Sequence, residues 1–317
     1  MKKVIAFGFA VAATCSMAQD AFPNKPVTLV VAYAPGGMTD ILTRKIARDL
    51  QQSLGQSFVV ENRAGATGQI ATDYVARRQP DGYTILVGAT SHVINPALKK
   101  SLPYEPRKAF DPVALLAISP NLVLVNPKTE IRTFADFKKF GESSKSIPFG
   151  TAGSGGAPHI VGELLRQQSR LPLIHVAYKG AGPAMADLVS GQVPFGISES
   201  VTADAYLKDK RIVPIAIASA KRSARYSEVP TLNELGFKNF DLSTWVGVYA
   251  PAGTPAPILQ KLNAEIRKAI ASPDTQEYIR STGSEPGELN LKDYQQFVSN
   301  EFDKWAHVIR EAGVKDE

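Results

Sequence analysis

Short β-branched runs alternate along this chain with segments whose apolar residues return every three or four positions. "VTLVVAY" (27–33) has the make-up of a buried strand. After it, Leu42, Ile46, Leu50 and Leu54 recur at four-residue spacing and predict a helix that stops at Gly55. "FVVEN" predicts a second strand, and "GQIATDYVARR" a second helix closed by the Pro80-Asp81-Gly82 turn. "YTILVG" (83–88) predicts a third strand. This β-α-β-α-β order implies a parallel sheet with helices on both faces.

The pattern then changes. "ALLAISPNLVLVNP" (114–127) is one long extended stretch broken by Pro120, as expected of a strand that crosses from one lobe to another. A second α/β series follows. Its strands are "IPFGTAG", "IHVAYKG", "VPFGIS" and "IVPIAIAS", and its helices span 158–168, 183–190 and 202–208. "FDLSTWVGVYAP" (240–251) is again extended and predicts a return crossing. The remainder is helical. Thr254 and Pro255 open a helix with Leu259, Leu262, Ile266 and Ile270 on one face. The last helix is expected to bury Tyr294, Phe297, Val298, Trp305 and Ile309 and to end at Gly313. At 317 residues the chain exceeds what one core usually holds. The expected fold is therefore α/β, a hinged clamshell of two lobes with two hinge crossings. Lobe 1 is expected at 22–122 and 246–317, and lobe 2 at 123–245.

The first residues do not follow either pattern. Lys2 and Lys3 precede the apolar run "VIAFGFAVAA", and Ser16-Met17-Ala18 offers a small-x-small cleavage site. That layout predicts a signal peptide at 1–18, cleaved after Ala18, and a periplasmic protein. The run is too short to span a membrane, which needs about 20 apolar residues. Cys15 is the single cysteine, and "AATC" fits a lipid-attachment box poorly. Cleavage after Ala18 would leave no thiol, disulfide or cysteine metal ligand.

Charge narrows the partners. The net charge is +6, and without Lys2 and Lys3 there remain 34 basic against 30 acidic residues. So small and dispersed an excess does not suit nucleic acid, and no basic run with interleaved aromatics occurs. A modest positive field is compatible with small anions.

Pro35-Gly36-Gly37 joins the first strand to the first helix, whose start is expected near Thr39 or Asp40, with one of them as N-cap. The first turn of a helix has N–H groups without partners and about half a unit of positive charge. Glycines let anionic oxygens reach those amides without a Cβ in the way. Taken alone, the pair reads equally well as a tight turn. The device recurs in "FGTAGSGGAPHIVGELL", where Gly153, Ser154, Gly155 and Gly156 precede a helix opened by Pro158. Two such N-termini, one per lobe, would grip a carboxylate or phosphate from both sides. A third loop places Tyr178, Lys179 and Gly180 before a helix, and a fourth exposes Ser91 and His92.

Catalysis and metals find little footing. "AGSGG" around Ser154 resembles a nucleophile elbow, but Ala152 stands where the first glycine belongs. His159 and His175 are not followed by the acid and base order of a hydrolase. "GAGPAM" (180–185) lacks the third glycine of a dinucleotide fingerprint, and no G-K-[ST] occurs. Four scattered histidines without cysteines show no metal-ligand spacing. No catalytic residue, metal or cofactor is expected.

Several stretches together resemble a known family. They are "FPNKPVTLVVAYAPGGMTDILTR", "VENRAGATGQIA", "PDGYTILVG", "FGTAGSGGAPHIVGELL", "VAYKGAGPAMADLVSGQVPFGI", "RYSEVPTLNELG" and "WVGVYAPAGTP". In this order they are similar to the periplasmic receptors of tripartite tricarboxylate transporters, the Bug-type solute-binding proteins. The resemblance implies a Venus-flytrap fold of the second periplasmic-binding-protein type, without cofactor or catalysis. It implies a ligand carboxylate held between the first loops of the two lobes, partly through ordered waters. Carried onto this sequence, first-lobe contacts fall at Pro35, Gly36, Gly37, Met38, Thr39, Asp40, Ser91 and His92. Second-lobe contacts fall at Thr151, Ala152, Gly153, Ser154, His159, Tyr178, Lys179 and Ser200, with Trp245 near the crossing. Met38 stands where relatives often carry a small or polar residue, and a soft, flexible side chain there favours an apolar or aromatic ligand body. The implied role is a monomer that delivers a di- or tricarboxylate, or an aromatic carboxylate, to the membrane subunits of such a transporter. The alternatives are a receptor that signals to a membrane sensor kinase, or an exported enzyme on the same scaffold.

Overall fold

The computed structural model describes residues 22–314. The expected signal peptide, with Cys15 and the cleavage site at Ala18, lies outside the described residues. The chain opens with β1 (Val27–Val31), α1 (Met38–Leu54), β2 (Phe58–Asn62), α2 (Gln69–Ala76), β3 (Thr84–Ala89) and α3 (Ser91–Leu98). β4 (Phe110–Ser119) and β5 (Asn121–Val125) follow, with only Pro120 between them. Next come α4 (Phe134–Glu142), β6 (Ile147–Thr151), α5 (Ala157–Ser169) and β7 (Leu173–Ala177). α6 (Ala181–Ser190), β8 (Phe195–Glu199), α7 (Ser200–Lys208) and β9 (Val213–Ile217) complete the second series. The chain closes with β10 (Thr244–Pro251), α8 (Ala256–Ile270), α9 (Pro273–Ser281), β11 (Glu285–Pro286) and α10 (Leu291–Ala312).

The strands form two sheets, ordered β2-β1-β3-β10-β4-β11 and β7-β6-β8-β5-β9. β1 runs parallel to β2 and β3, and β6 parallel to β7 and β8. Each sheet also holds an antiparallel strand next to a crossing, and in the first sheet the short edge strand β11 is antiparallel to β4 as well. β10 enters between β3 and β4, and β5 enters between β8 and β9. These strands carry near-continuous apolar runs because helices cover both faces of each sheet. Val27, Leu29, Val30 and Val31 of β1 and all of β10 are buried.

Proline explains where the first crossing falls. Pro120 has no N–H to give a ladder, so pairing with the first sheet ends at Ser119 and pairing with the second begins at Asn121. Asn121 then fastens the two crossings together. Its side-chain amide donates to the Leu242 carbonyl at 2.6 Å and accepts from the Thr244 hydroxyl at 3.1 Å.

Three features depart from the sequence pattern. Ser91 and His92, expected in a loop, form the first turn of α3. α4 has no counterpart among the expected elements, although Thr133 and Asp136 form a reciprocal capping box ahead of the inward-facing Phe134 and Phe137. Phe297 of α10 is half-buried rather than buried, its ring stacked near Tyr294. α10 packs on α3 and β4 and also on α5, so the C-terminal helix joins one hydrophobic cluster that draws on both sheets.

Within that cluster the Glu301 carboxylate accepts from the indole N–H of Trp245 at 2.7 Å and of Trp305 at 2.9 Å, and pairs with Lys304. Each buried donor left without an acceptor costs about 1–3 kcal/mol. Glu301→Ala is therefore expected to lower unfolding stability by about 3 kcal/mol in urea titrations, and Glu301→Gln by less. An unchanged unfolding midpoint in the alanine variant would refute the role given to this carboxylate.

Candidate functional site

Helices follow the carboxyl ends of the strands in both sheets, and six of their N-termini meet at one cleft of about 860 Å3. The N-cap residues Gly37, Gly68, Thr90, Gly156, Gly180 and Glu199 all line it. None of the six helices is capped by a side chain. Of the four helices that begin away from the cleft, α4 and α10 are capped by Thr133 and Asn290, and α8 and α9 by no side chain. The positive ends of six helices thus face a shared space, although at α7 the Ser200 and Val201 amides already donate to the Pro120 carbonyl and Ser119 Oγ.

The loops before α1 and α5 have the same construction. Gly36 and Gly155 take left-handed φ values of 88° and 77°, which glycine adopts without steric cost. Gly37 and Gly156 then N-cap their helices in ordinary extended backbone, at φ −84° and −86°. The Gly36 N–H donates to the Asp40 carboxylate at 3.0 Å, and the Gly155 N–H donates to Nδ1 of His159 at 3.1 Å. In each loop a side chain from the first turn of the following helix ties down the left-handed glycine. The N-cap glycine is left bare toward the cleft, and a Cβ built on Gly37 meets nothing within 4 Å.

The anchors are themselves held. Asp40 accepts from Arg44 at 3.0 Å and from Asn62 at 2.9 Å. Burial alone would raise its pKa, but the hydrogen bonds from Arg44, the Gly36 amide and Asn62 lower it, so it stays ionised. His159 stacks on His175 at 4.0 Å, and His175 Nε2 meets the Thr151 hydroxyl at 2.7 Å. Burial, reinforced by His159, brings the His175 pKa down to about 3. That ring is neutral at physiological pH.

The rest of the lining is mostly small and apolar, with Ala32, Ala34, Ala66, Ala157, Pro158 and Ala181 among it. Tyr33 closes one side. Its hydroxyl is bonded to Ser91 Oγ, and burial pushes its pKa to about 12. Thr67, at φ 53°, reaches across and donates to the Ser154 carbonyl at 2.8 Å.

The sequence model of the tripartite tricarboxylate transporter family receptor, TctC, matches residues 42–314. This chain belongs to that family. BugT of Bordetella pertussis is 33% identical over 299 residues, which cover 93% of this chain and 92% of BugT. A Rhodopseudomonas palustris protein solved with adipate superposes with a TM-score of 0.88 at 33% identity, covering 93% of this chain and all of that one. MatC from Rhodopseudomonas palustris, solved with bound malate, gives a TM-score of 0.84 at 33% identity over 91% of this chain and all of MatC. Members of this family and its structural relatives are solute-binding proteins.

Among the residues expected to touch ligand in this TctC-family receptor, Pro35, Gly36, Gly37, Met38, Thr39 and Ser91 line the cleft from the first lobe. Ala152, Gly153, Ser154, Tyr178 and Lys179 line it from the second. Six others stand behind the lining. Asp40 and His159 are turned back to their own loops, as described above. Asp40 is not the N-cap either, nor is Thr39, because α1 starts at Met38 behind Gly37. Thr151 spends its hydroxyl on His175 and the Gly153 carbonyl. Ser200 is fully buried beside Ser119 and Ser284 at the lobe joint. Trp245 points its indole at Glu301. His92 lies in α3, whose turn sends its ring into the core against Phe110, Tyr249 and Phe302.

The sequence reading missed Tyr33, the 64–68 loop, Thr90, Glu199, Thr202 and Thr244, all of which line the cleft. One usable signal was present. Gly-Gly-x-x followed by a side-chain hydrogen-bond acceptor occurs at both Gly36 to Asp40 and Gly155 to His159.

Burial lowers the His92 pKa to about 4, whereas an unfolded chain takes up this proton near 6.5. Between those values the unfolded state binds more protons, so His92 subtracts stability as pH falls from about 6.5 to about 4, by at most about 1.4 kcal/mol per pH unit. In His92→Phe that part of the pH dependence is expected to vanish in thermal melts, with ligand affinity unchanged. Loss of binding in the folded variant would return His92 to the ligand contacts.

Proposed function

We propose that this receptor captures a small organic carboxylate in the cleft between its lobes and delivers it to the membrane subunits of a tripartite tricarboxylate-type transporter. The observation that carries this reading is the meeting of six helix N-termini without side-chain caps, four of them at glycines, over a small-residue lining. Backbone amides and helix dipoles suit an anionic oxygen, and the alanine and proline walls with Met38 suit an aliphatic or aromatic body. The relatives solved with adipate and malate support the same ligand class. In this reading the carboxylate lies between Gly37 and Gly156, reached by residues 35–39 and Ser91 on one side and by 152–154, Tyr178 and Lys179 on the other. Asp40, Thr151 and His159 hold those loops in shape. The receptor acts as a monomer in the periplasm.

The decisive experiment is Gly37→Val, titrated calorimetrically with adipate and malate. Gly37 has an ordinary φ and open space around its Cα, so the variant is expected to keep its melting temperature. The new side chain fills the space an anionic oxygen needs, and affinity is expected to fall at least a hundredfold. Thr39→Ala is the comparison and removes at most one hydroxyl contact, about 1 kcal/mol. If the valine variant binds as tightly as wild type, the glycines serve only the turn.

Export has its own check. The intact mass of periplasmic material is expected to match a chain starting at Gln19, and an acylated Cys15 would contradict it.

A further inference from the structure

Apart from Lys179, the one charged side chain on the cleft lining among the described residues is Glu199. It is the last residue of β8 and the N-cap position of α7, yet its carboxylate does not cap that helix. β8 pairs Glu199 with Asn121, so the side chain stands on the floor of the cleft, where the two crossings meet. Its oxygens meet its own backbone amide and three hydroxyls. Thr244 and Ser198 each approach at 3.5 Å, and Thr202 also contributes. No lysine, arginine or histidine acts on it, and burial raises its pKa. A carboxylate enclosed this way, with long hydroxyl contacts and no cation, is an expensive arrangement unless something completes it.

Building on the carboxylate reading above, we propose that Glu199 is the specificity-determining residue of the cleft and selects carboxylates that also carry a protonated amine. The ligand's carboxylate occupies the amides of α1 and α5, and its ammonium group meets Glu199. The cleft then offers a zwitterion two zones: the amides of α1 and α5 for its carboxylate, and Glu199 at the start of α7 for its ammonium group. An amine-free carboxylate leaves Glu199 unpaired, and a second carboxylate on the ligand meets a like charge there. Sites built around a buried polar group discriminate strongly against ligands that leave it unsatisfied.

The test is calorimetric titration of the full mature chain with three pairs of probes. These are 4-aminobutanoate against butanoate, 6-aminohexanoate against hexanoate, and glutamate against glutarate. Wild type is expected to bind at least one amine-bearing member tenfold or more tightly than its amine-free partner. Glu199→Gln has the same shape, and it is expected to lose that preference by binding the amine-bearing member tenfold or more weakly than wild type does, while glutarate, relieved of a like charge, binds more tightly. Glu199→Asp keeps the charge and is expected to retain the preference, which covers the case of a glutamine variant that fails to fold. Circular dichroism and melting temperature establish that each variant is folded. A wild type that favours the amine-free members, or a folded Glu199→Gln that still prefers the amine, overturns the inference. If amine-free carboxylates bind and Gly37→Val abolishes that binding, the carboxylate reading survives this failure. If no carboxylate of either kind binds, both readings fall together.

Discussion

The geometry of this protein depends on the break in β-pairing at Pro120 and on Asn121 immediately after it. A residue without an N–H ends one ladder, and its neighbour starts another while binding the second crossing through Leu242 and Thr244. Both sheets are thereby fixed about one joint. Because the helices follow the carboxyl ends of the parallel strands, their N-termini face the gap between the lobes rather than solvent on opposite sides. The cleft is a consequence of that joint.

Inside the cleft the protein supplies charge mainly through its backbone. First-turn amides are fixed by the helices behind them and need no counter-ion, so in the proposed reading an anion meets a preorganised site with little side-chain entropy to lose. The side chains that look most functional in the sequence are used to set this backbone. Asp40 and His159 each tie a left-handed glycine, and the stack of His159 on the neutral His175 ring carries Thr151 with it. The Trp245, Trp305 and Glu301 cluster plays a related part at a distance, binding β10 to the C-terminal helix.

The crossing also decides which acidic group enters the cleft. Glu199 reaches the floor because β8 pairs with β5 directly after Pro120. A change of one position in that register would turn it to the other face of the sheet. Ser200, the next residue, is enclosed in the joint and Glu199 is open to the cleft, although the two stand side by side in the chain.

Alternating β-branched runs and four-residue apolar spacing determined by themselves the two α/β series, most strands and most helices, because burial on both faces of a sheet writes a local pattern. The glycine loops were legible for the same reason: a left-handed φ and a bare N-cap each require glycine at one position. Orientation was not legible. His92, Ser200 and Trp245 lie within a residue or two of true lining positions, and only the turn of α3 and the registers of β8 and β10 send them inward. α4 went unread although Thr133 and Asp136 supply a local capping box, whereas Tyr33, Thr67 and Glu199 belong to the cleft through contacts with residues far away in sequence. Local periodicity encodes whether a side chain is buried. Which neighbours bury it is decided only when the two sheets are closed about Asn121.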